Sequence, residues 1–292
     1  MDGDTYGAAH LEWVTDYDFQ NISSLIKVPP SQNHDKEVIE ELALLCVVDS
    51  AELLKDLTPS EPYLVTYRQW LKRVSNEALA NQHPVLKDTR TLVSITHEER
   101  RTKIAKLCKE MSSSPLMSAF AEGVMRIKDH IQQLFTGETD ALELLLQEDN
   151  LVRIYGSISF NYSDFICALA ETVPNLRILE IGAGTGGTTE LIIHGIQQSP
   201  GQFPRYKRYT FSDISAGFFP KARERFAGIP NMEFKVLDIS KDPIQQGFEP
   251  GSYDLIIAAN VVHITPTLYQ TLKNLQLLLM PTGKLVVTEF CT

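Results

Sequence analysis

Leu179-Glu180-Ile181-Gly182-Ala183-Gly184-Thr185-Gly186-Gly187 sets four glycines directly behind an apolar run. Glycine lets a backbone turn tightly and lets a ligand approach a helix N-terminus with no Cβ atom in the way. The loop alone does not choose its ligand, because Gly182, Gly184 and Gly187 also fit the GxGxxG spacing of a dinucleotide loop. A phosphate loop is excluded, since no Lys-Ser or Lys-Thr pair follows the glycines.

Three acids narrow the choice. Asp213 closes the second β-rich run, where its carboxylate can accept from both hydroxyls of an adenosine ribose. A nicotinamide dinucleotide would use the same acid. Glu180, two residues before the first glycine, fits S-adenosylmethionine better, its carboxylate falling near the amino group and sulfonium of that cofactor. Asp238, after Leu237 at the end of the third run, is placed to accept from the adenine amino group. Each acid alone reads as a solvated strand end or a cap; three around one loop favour an adenosine-bearing ligand. His263 follows the fourth run and Glu289 ends the fifth, so the two side chains can meet across neighbouring strand ends. A carboxylate accepting from one imidazole nitrogen fixes the tautomer and leaves the other nitrogen free as a base. By itself, a histidine after a strand is more often an ordinary polar residue.

The elements that must position these groups show in the patterning. Before Pro174 the chain is helical: Val38, Leu42, Leu45 and Cys46 recur at helical spacing, as do Tyr63, Tyr67, Trp70, Leu71 and Val74. Thr96, with Glu98 and Glu99 behind it, predicts an N-cap. Further helices are predicted over Phe120 to Leu134, Leu142 to Leu146 and Leu151 to Leu169. After Pro174, β-rich runs (Arg177 to Ile181, Tyr209 to Ile214, Glu233 to Ile239, Asp254 to Val262, Lys284 to Phe290) alternate with helical ones. Such alternation implies right-handed crossovers and a parallel sheet covered on both faces. The expected division is an arm and linker over 1–34, a helical subdomain over 35–172 and an α/β core over 173–292.

The 292 residues carry a net charge of −10, which argues against nucleic acid as a partner. Four widely spaced cysteines without a CxxC pair give neither a disulfide framework nor a zinc site, and no metal is expected. The acidic start Met1-Asp2-Gly3-Asp4 is unlike a signal peptide, and the run Leu255 to Val262 is too short to span a bilayer. These features point to a soluble, cytoplasmic chain without a membrane partner. Arg100, Arg101, Lys103, Lys106 and Lys109 form the densest basic run, which reads first as a solvated helix face and second as a surface for an acidic partner.

The motifs together resemble the C-methyltransferase domain of fungal iterative, highly reducing polyketide synthases and of their hybrids with peptide synthetases. Leu176 to Thr189 is similar to the first motif of that family; Tyr209-Thr210-Phe211-Ser212-Asp213-Ile214-Ser215 followed by Gly217-Phe218-Phe219 is similar to the second. Ala259-Asn260-Val261-Val262-His263 with Leu278 to Lys284 matches a third stretch, Phe135 to Leu145 resembles the segment before the core, and Trp13 resembles the tail of a preceding dehydratase domain. The resemblance implies a Rossmann-like class I methyltransferase core behind a helical lid. It carries cofactor contact onto Glu180, Gly182, Ala183, Gly184, Gly186, Asp213, Ile214, Leu237, Asp238 and Asn260. The catalytic pair of the family falls onto His263 and Glu289, and an aromatic near its pocket onto Tyr155; ordinary helix packing accounts for Tyr155 equally well. The implied reaction is methylation of the α-carbon of a β-ketoacyl thioester on an acyl carrier protein, within a megasynthase. The core of the family continues past its fifth strand with a helix and two strands, whereas this sequence stops at Thr292. Its fifth strand is therefore expected to have an uncovered edge. The alternatives are a non-catalytic scaffold that keeps the fold, and an NAD-dependent oxidoreductase, which Glu180 and Asp238 disfavour.

Overall fold

In the computed structural model, residues 17–27, 33–158, 160–173, 175–197 and 205–289 are described; Trp13 and the end of the fifth predicted strand at Phe290 lie outside them. The chain packs as two units, Pro29–Ile158 and Met1–Val28 with Ser159–Thr292. Helix α1 (Ile22–Leu25) belongs to the second unit. There Leu25 is buried with Tyr162 and Phe165, and Lys27 pairs antiparallel with Asn161.

The helical unit runs α2 (Asn33–Leu53), α3 (Pro62–Leu79), α4 (Thr89–Val93), α5 (His97–Met111), α6 (Pro115–Asp129), α7 (Ile131–Thr136), α8 (Ala141–Leu146) and α9 (Asn150–Ile158). Val38, Leu42, Leu45 and Cys46 of α2 pack on Ile104, Leu107, Met117 and Ala121. Thr96 caps α5 reciprocally: its hydroxyl accepts from the Glu99 N–H while the Glu99 carboxylate accepts from the Thr96 N–H. The predicted helix from Phe120 to Leu134 is two, because the backbone leaves helical geometry at His130 (φ −109°, ψ 15°). The basic run on α5 is not a single solvated face. Arg100 shares the stripe of Ile104, Leu107 and Met111 at helical spacing and is buried, its Nη1 2.6 Å from Asp49. Lys103 is paired with Glu41 at 2.6 Å.

The second unit continues with α10 (Ser163–Thr172), β1 (Leu176–Ile181), α11 (Gly187–Gln197), β2 (Tyr206–Asp213), α12 (Phe219–Arg225), β3 (Met232–Val236), β4 (Tyr253–Ala259), α13 (Leu268–Leu278) and β5 (Leu279–Thr288). The five strands form one parallel sheet in the order β3-β2-β1-β4-β5. The helix predicted from Leu151 to Leu169 is interrupted between α9 and α10, where Asn161 is taken up by its pairing with Lys27. Strand β1 shows why this sheet is buried on both faces. Leu176 and Ile178 join Ile166, Leu169, Ile192 and Ile196 on one side, and Leu179 and Ile181 join Ile256, Leu275 and Leu278 on the other. Each such side chain contributes about 1.5–3 kcal/mol on burial. Arg177 and Asp254 form a two-contact ion pair (2.9 and 3.2 Å) at the amino ends of β1 and β4. Among the described residues β5 is an edge strand, and its Pro281 falls in the stretch before the register with β4 resumes at Leu255↔Lys284. No described helix is long and apolar enough to cross a membrane.

Candidate active site

At the carboxyl end of β1 the chain turns through Gly182 (φ 62°). A Cβ there would lie 2.5 Å from Cγ2 of Val261, so both the left-handed backbone and the close packing demand glycine. The Ala183 N–H donates to the Ser212 carbonyl (2.9 Å), and the Gly186 N–H closes the turn on the Ala183 carbonyl (2.8 Å). Gly184 (φ 52°) differs from Gly182: a Cβ built on it would meet only the Gly182 carbonyl, at 3.8 Å. The loop thus presents an open backbone face directly before α11.

Asp213, the last residue of β2, is tied to this loop. Its Oδ2 accepts from the Gly184 N–H (3.0 Å) and its Oδ1 from the Ser215 N–H (2.9 Å). Each oxygen has one backbone donor in the structure and retains a lone pair for one more. Ile214 beside it is 63% exposed, an apolar surface next to an acceptor pair. An open glycine backbone, a carboxylate with acceptor capacity to spare and an apolar face are parts that can hold an adenosine, so the residues present fit such a group. Asn260, at φ 53°, leaves β4 in the left-handed region with its N–H on the Thr288 carbonyl (2.7 Å). Leu237 is buried, and its N–H donates to the Asp213 carbonyl (3.0 Å).

Glu180 and Asp238 are placed differently from the expectation. Glu180 shares the β1 face of Leu176 and Ile178, and α10 and α11 cover that face. It is 1% exposed, and its Oε2 accepts from the Thr189 and Tyr209 hydroxyls, both at 2.6 Å. The carboxylate therefore sits beneath the loop as a buried hub. Strand β3 stops at Val236, short of the predicted Ile239, because Asp238 forms a turn of its own. Its Oδ1 accepts from the Ser240 N–H (3.0 Å) and hydroxyl (2.6 Å), and its Oδ2 pairs with Lys241 at 2.8 Å. Lys241 and Ser240 hold the Asp238 carboxyl below the usual carboxylate range.

Burial pushes the Glu180 carboxyl up from 4.5 to about 7, against the opposing pull of the Thr189 and Tyr209 hydroxyls. Between those values the folded chain binds more protons at Glu180 than the unfolded chain, so stability falls as pH rises through that window. Glu180→Gln removes the titration. The thermal midpoint of the wild type, taken relative to this variant, is expected to fall from pH 4.5 to about 7 and level off above it. Scanning calorimetry of both proteins across the window checks this, and parallel midpoints would refute it.

His263 and Glu289 meet as the strand order requires. The imidazole Nδ1 lies 2.6 Å from Oε2 of Glu289, and the histidine side chain is 48% exposed. A carboxylate only accepts, so the proton rides on Nδ1 and the Nε2 lone pair is left free. The other carboxylate oxygen, Oε1, accepts from the N–H groups of Val261 (3.0 Å), Val262 (2.5 Å) and His263 (3.3 Å). Tyr155 lies on α9 of the helical unit. Sequence reasoning missed Thr189 and Tyr209 as partners of Glu180, although the period-2 alternation of β1 puts Glu180 on a covered face. It also missed Val261, whose packing over Gly182 shows only in the structure.

Residues 179–285 match the family described as a methyltransferase domain. The highly reducing polyketide synthase g433 of a Fusarium species is 38% identical over 294 residues, covering 100% of this chain and 12% of that protein. The chain thus spans a small part of the length of the curated relatives it matches. Among solved structures, the trans-methyltransferase CalH, in complex with SAH, superimposes with a TM-score of 0.84 at 34% identity, over 94% of this chain and 78% of that one. The CurJ carbon methyltransferase superimposes with a TM-score of 0.70 at 28% identity, over 87% of this chain and 72% of that one. With its glycine loop, parallel sheet order and relatives, the chain belongs to the carbon methyltransferase domains of polyketide synthases.

Proposed function

We propose that this chain methylates the α-carbon of a β-ketoacyl thioester carried on an acyl carrier protein, with S-adenosylmethionine as methyl donor. The observation that carries the reading is the His263–Glu289 pair at the carboxyl edge of the sheet, its free imidazole nitrogen on the turn that packs against Gly182. Open α/β sheets bind ligands at that edge. Asp213 would hold the ribose, with Ile214 against the base and the Gly184 backbone facing the ligand. Asp238 is a candidate for the adenine amino group only beyond its bonds to Ser240 and Lys241. Glu180 would support the loop from below.

When bound, S-adenosylmethionine supplies a sulfonium methyl, which the substrate carbanion takes while the electron pair of the broken carbon–sulfur bond stays on sulfur. The residues of this chain manage the proton. The α-carbon of a β-ketoacyl thioester lies between two carbonyls, so its proton can leave to give an enolate. Nε2 of His263 takes that proton, and Glu289 stabilises the imidazolium across the 2.6 Å contact. The exposed imidazole then returns the proton to water. On this reading the chain works among the neighbouring domains of a larger synthase, which load and remove the acyl group.

The test supplies the chain with S-adenosylmethionine and a β-ketoacyl thioester on a carrier protein, and reads methyl incorporation by mass spectrometry. One added methyl at the α-carbon is expected. Tight cofactor binding without transfer would instead support the scaffold reading.

A further inference from the structure

We propose that Val261 is a positioning residue for the glycine loop, held there by the Glu289 oxygen that the imidazole does not use. The inference rests on the methyl-transfer reading above. Its starting point is the division of labour within one carboxylate. Oε2 faces Nδ1 of His263, whereas Oε1 gathers three consecutive backbone N–H groups, those of Val261, Val262 and His263. Three donors converge because the chain leaves β4 through Asn260 in the left-handed region (φ 53°) and re-enters a right-handed 3-10 turn at Val262–Ile264. Successive N–H groups in such an alternation form a concavity that binds an anion. Here the anion belongs to the chain itself.

The same turn carries the Val261 side chain onto the loop. Val261 is buried with Ile181 and Ile256, and it fills the space over Gly182 so closely that a Cβ there would lie 2.5 Å from Cγ2 and 2.8 Å from Cβ of the valine. Gly182 is the first residue after β1 and fixes where Ala183 and Gly184 begin. A chain of contacts thus runs from Oε1 through the backbone of Val261 and its side chain to Gly182. Placement of the base and placement of the cofactor loop share one carboxylate, through different atoms.

The two oxygens can be separated by substitution. Glu289→Gln keeps an oxygen that can accept the three N–H groups but turns an amide N–H toward the imidazole, which displaces the proton to Nε2. Glu289→Ala removes both. Calorimetric titration with S-adenosylhomocysteine, the demethylated product, reads the loop without turnover. His263→Ala is expected to bind it about as wild type does and Glu289→Gln nearly so, since its amide oxygen still accepts, while Glu289→Ala binds about ten- to a hundredfold more weakly, the range for loss of two or three hydrogen bonds. Val261→Ala is expected to weaken binding in the same direction and to raise the cofactor KM more than it lowers kcat. Combining it with Glu289→Ala is expected to add little, because both act through one contact.

Wild-type affinity in a folded Glu289→Ala protein would overturn the proposal, as would equal losses in Glu289→Ala and Glu289→Gln. If circular dichroism shows Glu289→Ala unfolded, Val261→Ala decides, and its wild-type affinity overturns the proposal. Failure of the wild-type chain to bind S-adenosylhomocysteine would strike the methyl-transfer reading instead, so the two failures are distinct.

Discussion

His263→Ala is expected to lower methyl transfer to a β-ketoacyl thioester by about 10²- to 10⁴-fold, the usual worth of a positioned general base. Cofactor affinity is expected to survive. The imidazole stands on the 3-10 turn after β4 and makes its side-chain hydrogen bond to Glu289, not to the glycine loop or to Asp213. Removing the ring therefore removes the proposed proton acceptor and leaves Oε1 of Glu289 still holding the N–H groups of Val261 and Val262. Glu289→Gln is expected to cost less than His263→Ala. The ring remains, and a minority of imidazoles still carry the lone pair on Nε2 even though an amide N–H now faces Nδ1. A simple acyl thioester, with one activating carbonyl, is expected to stay unmethylated by the wild type. Transfer by His263→Ala at the wild-type rate, read by mass spectrometry, would defeat the base assignment even with fold and cofactor correct.

The parts of this site that could be read from the sequence are those fixed by backbone type and by strand order. Four glycines behind an apolar strand announce a loop at a helix N-terminus, and the structure puts α11 there. His263 and Glu289, one after each of two neighbouring strands, meet because a right-handed parallel sheet sets those strands side by side. What the sequence hides is the direction of a carboxylate. Glu180 and Asp213 both stand at strand ends, yet one turns under α11 to Thr189 and Tyr209 while the other turns up to the Gly184 N–H. Alternation does not distinguish them, because the register Glu180↔Phe211 puts Glu180 on the face that Phe211 and Asp213 share. Element boundaries failed for a related reason. Asn161 breaks a run that reads as helix because Lys27, far away in sequence, pairs with it. Arg100 looks like one of five solvated charges, but its spacing with Ile104 and Leu107 sends it inward to Asp49.

Asp213→Ala is expected to weaken binding of S-adenosylmethionine by at least about a hundredfold. Two losses combine. The ribose diol loses a bidentate acceptor, and hydrogen bonds to a charged group are each worth about 1.5–3 kcal/mol. The loop loses its tie as well, since Oδ2 accepts from the Gly184 N–H at 3.0 Å and Oδ1 from the Ser215 N–H at 2.9 Å. Asp213→Asn separates the two effects. Its amide oxygen can still accept from one of those backbone groups, whereas its NH₂ donates where the diol needs an acceptor. An intermediate affinity is expected for Asp213→Asn, with a thermal midpoint nearer the wild type than that of Asp213→Ala. The loss should appear in the cofactor KM more than in kcat at saturating cofactor, because the proposed place of Asp213 is at the adenosine and not at the reacting carbon. Calorimetric titration of the three proteins, each shown folded by circular dichroism, measures it. Unchanged affinity in Asp213→Ala would remove this carboxylate from the cofactor site and shift the ribose to another acceptor at the carboxyl edge of the sheet.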